Sequence, residues 1–160
     1  MALPTELRFG SPPVLVATFC GVGLLPWAPG TWASLATLPV AWLLHAVGGP
    51  YAAIVAIPVV FFAGWWASAE VSRRTTDHDP GYIVIDEVAG QLVVIAAVAP
   101  DPLLYAIGFA LFRLFDIVKP AFIGWADRTV AGGLGVMLDD LFAGACGAVV
   151  LLAIINVWGL

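Results

Sequence analysis

Five carboxylates in this chain stand where carboxylates are costly. Asp86 and Glu87 lie side by side within the apolar run Ile83-Val84-Ile85-Asp86-Glu87-Val88-Ala89-Gly90, Asp116 sits near the end of a second run, and Asp139-Asp140 stand at the head of a third. Such a group must be paired, hydrogen-bonded or bound to a cation. No basic residue lies within a helical turn of Asp86 or Glu87. Oxygen ligands without histidine or thiolate in reach point to Mg²⁺ or Mn²⁺ rather than zinc. The candidate metal ligands are therefore Asp86, Glu87, Asp116, Asp139 and Asp140. The simpler alternative is helix capping, which suits Asp139 and, close to a helix start, Asp86. It fails for Asp116, at a helix C-terminus where negative charge is disfavoured, unless Arg113 three residues earlier pairs with it.

The remaining polar residues divide in the same way. Lys119 before Pro120 either snorkels and complements a helix dipole or, beside a metal cluster, binds phosphate. Thr31 follows the Pro29-Gly30 break and is placed to cap the next helix, whose free amides also favour phosphate. His78 lies between Asp77 and Asp79 in the longest polar connection, where solvation is its simpler role. His45 falls at the opposite surface, and Ser34 and Thr37 are expected to bond back to their own helix. Cys20 and Cys146 lie in apolar segments and are expected to be packed free thiols. Neither has an arginine six residues on, so a Cys-x5-Arg phosphatase loop is absent.

The elements that must position these residues read as membrane helices. The chain of 160 residues is 62% hydrophobic and 11% charged, with a mean hydropathy of +1.02, which marks a membrane protein. One membrane-embedded domain over residues 1–160 is expected. A net charge of -5 leaves no basic surface for nucleic acid. Residues 14–25 are too short to cross a bilayer as a helix, and no small-x-small cleavage site follows them, so they read as a re-entrant or half-helix. Spans are then expected from Thr31 to about 47, over 51–69, over 83–99, over 103–118 and over 138–157, separated by Pro/Gly turns. The fold class is all-α: a polytopic bundle of about five spanning helices plus the N-terminal half-helix. Residues 121–136 read as a partly polar loop with room for a short helix at 122–127.

Threading these spans alternately puts Arg8, Arg73, Arg74, Lys119 and Arg128 on one side, which the positive-inside rule makes cytoplasmic. All five acids and Thr31 then fall on that side too. The placement disfavours the competing class, a divalent-cation transporter or channel component, whose acids would line a path near the bilayer midplane.

Four blocks carry a resemblance. They are Gly21-x-Gly23 through Pro29-Gly30-Thr31; Asp79-x-Gly81-x-Ile83-Val84-x-Asp86-Glu87-x-x-Gly90; Arg113-x-x-Asp116-x-x-Lys119-Pro120; and Gly132-Gly133-x-Gly135-x-Met137-x-Asp139-Asp140. In this order and spacing the chain resembles the phosphatidylglycerophosphatase A family. Two departures stand out: Ala121-Phe122-Ile123 where the family often has x-Pro-Ile after Lys-Pro, and Ala131 where it often has histidine. The resemblance implies a Mg²⁺-dependent phosphomonoesterase, with Mn²⁺ as a substitute, that makes phosphatidylglycerol from phosphatidylglycerophosphate. It implies that Asp86, Glu87, Asp139 and Asp140, with Asp116, hold the metal, and that Asp79 or Asp140 takes the proton. Thr31, Arg113 and Lys119 would bind substrate. The setting it implies is the bacterial cytoplasmic membrane, with the active site facing the cytoplasm and a phospholipid as substrate. No protein partner is expected.

Overall fold

A computed structural model describes residues 3–75, 80–119 and 132–159. Asp79, His78 and the helix expected at 122–127 lie outside the described residues. The described elements are α1 (Pro12–Ala17), a 3-10 turn (Val22–Leu24), α2 (Pro29–Gly48), α3 (Ala52–Ser72), α4 (Ile85–Ile95), α5 (Pro102–Val118) and α6 (Gly133–Trp158). No strand occurs among the described residues.

Proline and glycine set most of the boundaries. α2 starts at Pro29, whose fixed φ and missing N–H suit a first helical position. Thr31 therefore sits inside the first turn instead of capping it; Ala28, at φ 43°, takes the cap position without a side-chain bond. Gly49, at φ 74°, ends the helix. Ser34 and Thr37 donate to the carbonyls of Gly30 and Ala33 at 2.8 Å each, the back-bonding expected of them.

α4 is the shortest of the five main helices and the most enclosed. Ile85, Val88, Ala89, Gly90, Gln91 and Leu92 are all buried, and α2, α3, α5 and α6 pack around it. Its entry is pinned where the Val84 N–H donates to the Ala17 carbonyl at 2.9 Å. The closest crossing is with α6, where a Cβ on Gly144 would come within 2.4 Å of the Gly90 carbonyl oxygen. Small residues let two backbones approach this closely.

Three further sequence expectations change. α6 begins at Gly133, well before Leu138, because Gly133 lies on α3: a Cβ there would fall 2.5 Å from the Ala69 nitrogen. Asp139 and Asp140 thus lie inside the helix and cap nothing. Cys20, expected to be packed, is exposed at φ 56°. Finally, α2, α3 and α6 are long and apolar enough to cross a membrane, whereas α4, at 11 residues, falls short of the expected 83–99, and α5, at 17, matches the expected 103–118 but stays under the roughly 20 residues of a full span.

Candidate active site

The α4–α6 crossing assembles the acids. Asp86 lies one turn before Gly90 and Asp140 one turn before Gly144, so the close approach of the glycines brings the two carboxylates to one level. One oxygen each from Asp86, Glu87 and Asp140 lie within 4.8 Å of one another. Asp140 is only 3% exposed. Its Oδ2 and the Oε2 of Glu87 are buried with no hydrogen-bond partner among the described residues.

The other two acids differ from these three. Asp116 pairs with Arg113 Nη1 at 2.5 Å, and the same nitrogen stands 4.0 Å from Glu87 Oε1. Asp139 pairs with Lys119 Nζ at 2.5 Å. Both remain close enough to act electrostatically on Asp140. Lys119 takes the left-handed conformation that ends α5, φ 42°, and from there its side chain reaches α6. Lys119 thus has an acid of the cluster as its partner.

Two further features frame the cluster. Gly30, in the first turn of α2, leaves the space that Glu87 fills; a Cβ at position 30 would fall 1.8 Å from Glu87 Oε1. The first-turn amides of Gly30 and Thr31 have no partner within their helix, and the Gly30 backbone lies against this carboxylate. Gln91, one turn below Glu87, is fully buried, and neither its amide oxygen nor its nitrogen has a hydrogen-bond partner among the described residues. The free amides of this turn are legible in the sequence, whereas the Gly30–Glu87 contact and the burial of Gln91 are not. A polar residue four positions after Glu87 inside an apolar run was the available signal for Gln91.

The donor set suits a hard divalent cation. It is all oxygen, and it retains buried acceptor atoms that no described protein group engages. Five acids face two bases, so full ionisation leaves an excess of negative charge in a largely buried place. Such a centre can bind a cation, and through it and the flanking Arg113 and Lys119 it can receive an anionic group. His45 and Asp101 belong to the opposite ends of their helices and take no part.

The family model for phosphatidylglycerophosphatase A matches residues 15–155. The chain is 34% identical to phosphatidylglycerophosphatase A of Escherichia coli, over 98% of this chain and 91% of that protein. It is 35% identical to phosphatidylglycerophosphatase A of Haemophilus influenzae, over 88% and 86% respectively. A Bacteroides thetaiotaomicron protein, provisionally named a phosphatidylinositol-3-phosphatase, is 37% identical over 82% of this chain and 86% of its own. No solved structure shows a significant match. The chain belongs to the phosphatidylglycerophosphatase A family of lipid phosphatases.

Proposed function

We propose that this chain hydrolyses the terminal phosphomonoester of phosphatidylglycerophosphate, releasing inorganic phosphate and leaving phosphatidylglycerol in the membrane. The observation that carries the reading is the meeting of Asp86, Glu87 and Asp140 within 4.8 Å, with Arg113 and Lys119 at the rim. Asp86, Glu87 and Asp140 would hold Mg²⁺ or Mn²⁺, and Asp116 and Asp139 would complete the negative shell. When bound, the cation offsets charge on the transferring phosphoryl group and lowers the pKa of a water.

The chain's own residues supply the rest. Arg113 and Lys119, held ready by Asp116 and Asp139, turn their donors to the phosphate oxygens. The amides of Gly30 and Thr31 face the same place from the start of α2, where a helix favours an anion. Asp79 or Asp140 takes a proton from the attacking water; the bond from phosphorus to the glycerol oxygen breaks, and that oxygen is protonated. α4, enclosed by its neighbours, and α5, roughly 26 Å long at helical rise, lie within the bilayer beside the three longer helices. The acidic end faces the cytoplasm of a bacterial inner membrane, as the positions of Arg8, Arg73 and Arg74 favour. Cation transport gains no support, because the acids gather at one end of the bundle rather than along a path.

Phosphate release tests the activity. Purified protein in detergent should liberate phosphate from phosphatidylglycerophosphate faster than from phosphatidylinositol 3-phosphate, and Asp140→Asn should not. Release by the variant at the wild-type rate would remove the site. Sidedness is separable: in a Cys20→Ser, Cys146→Ser background, Thr75→Cys should resist an impermeant thiol reagent that labels Asp101→Cys in intact cells. Labelling of position 75 from outside would invert the orientation.

A further inference from the structure

We propose that the lateral groove between α2 and α5 seats an acyl chain of the lipid substrate, an inference that rests on the phosphatase reading above. The groove holds about 550 Å³, within the ~300–1,000 Å³ usual for small-ligand sites. Its α2 wall recurs at helical spacing from Leu35 through Trp42 to Ala46, and its α5 wall from Pro102 through Tyr105 to Phe109. Its lining is almost wholly apolar.

Its direction identifies the occupant. Carried one turn toward the acidic end, the α2 stripe passes from Leu35 to Thr31, and the α5 stripe passes from Phe109 to Arg113. Both walls therefore end at groups facing the candidate phosphate position. Arg113 lies near Glu87, and Glu87 fills the space over Gly30, so the two helices meet through the site itself. From Leu35 to Ala46 the groove runs roughly 16 Å at helical rise. That is about half of a ~30 Å hydrocarbon core, the depth one acyl chain occupies. Trp42 meets Tyr105 edge-on across it, with ring centroids 5.4 Å apart, so the walls touch and fix its shape. A molecule with an anionic head at Arg113 and an apolar tail one leaflet long fits both ends.

A second lateral groove, between α3 and α6, holds about 730 Å³ but does not share this continuity. At its charged end stands Arg73, which is already paired with Glu70. That pair involves none of the acids of the α4–α6 cluster.

The test compares chain lengths. Ala106→Trp and Ala46→Trp fill the α2–α5 groove, and Val149→Trp places the same bulk on an exposed face of α6. Dipalmitoyl and dihexanoyl phosphatidylglycerophosphate are assayed in the same micelles. The groove variants should lose about tenfold or more in kcat/KM for the long-chain lipid while changing the short-chain value less than about twofold. Val149→Trp should change neither. Equal losses for both lipids, or none for either, would overturn the proposal. If wild type hydrolyses neither lipid, the phosphatase reading fails, and the groove is judged separately by crosslinking. Phosphatidylglycerophosphate with a diazirine midway along one chain should then label residues 35–46 and 102–109 of the wild-type protein. Labelling confined to other faces, or matched by equally modified phosphatidylcholine, would mean ordinary boundary lipid and would overturn it.

Discussion

Asp101 and Asp140 are the same side chain in opposite circumstances, at opposite ends of the bundle. Asp101 opens α5, and its Oδ1 accepts from the N–H groups of Leu103 and Leu104 at 2.8 and 2.9 Å. Helix architecture explains it fully. Asp140 lies well inside α6, buried, with Glu87, Asp116 and Asp139 as its charged neighbours. Helix architecture has no use for it there, because a buried acid among acids destabilises the bundle unless a cation offsets it. Residue type is therefore a poor guide to role; what separates the two is whether local backbone donors satisfy the carboxylate.

Substitutions can break or sharpen this contrast. The largest effect is expected from Asp140→Asn and Asp86→Asn, each lowering kcat by about a thousandfold or more, since a lost ligand removes several kcal/mol of transition-state stabilisation. Thermal stability should hold or rise in these variants, because a buried repulsion is relieved. Loss of folding instead would mean that these acids are architectural, like Asp101.

Lys119→Met comes next, with turnover expected to fall about 10–100-fold as a donor to the phosphate is lost. The lysine also neutralises Asp139, so the single variant should be less stable. Lys119→Met with Asp139→Asn should recover the stability but not the activity. Recovery of both would reduce Lys119 to a structural ion pair.

Gly30→Ala should act more locally. The new methyl would collide with the flexible end of Glu87 rather than with backbone. Melting temperature should stay near wild type while kcat drops about tenfold through misplacement of one carboxylate. An unaltered rate would show that the position of Glu87 over α2 is immaterial. At the far end, Asp101→Ala should lose about 1 kcal/mol of stability, the ordinary loss for an N-cap, with kcat unchanged.

Proline and glycine displayed several helix boundaries in the sequence. Pro29-Gly30, Gly48-Gly49 and Pro102 all mark observed boundaries within two residues. The sequence hid the start of α6 because Gly132-Gly133 carries a loop signal, whereas in the fold Gly133 is helical and packs closely on Ala69 of α3. That single shift moved Asp139 and Asp140 from a helix mouth to its interior, and with it removed capping as an explanation. The gathering of the acids at one end was legible from alternate threading of the spans. Their division was not: which acids pair with Arg113 and Lys119, and which remain for a cation, depends on side-chain reach across α4, α5 and α6. Gln91 stayed invisible because its meaning lies in burial, which hydropathy does not report at one position.

The most direct measurement of the central claim is phosphate release from phosphatidylglycerophosphate by metal-stripped protein as Mg²⁺ is added back, with Asp101→Asn and Asp140→Asn in parallel. Wild type and Asp101→Asn should be inactive without metal and recover together along one saturable curve, while Asp140→Asn stays inactive or needs far more Mg²⁺. Full turnover by the stripped wild-type protein, or an equal response from all three, would contradict a cation held by the acids of α4 and α6.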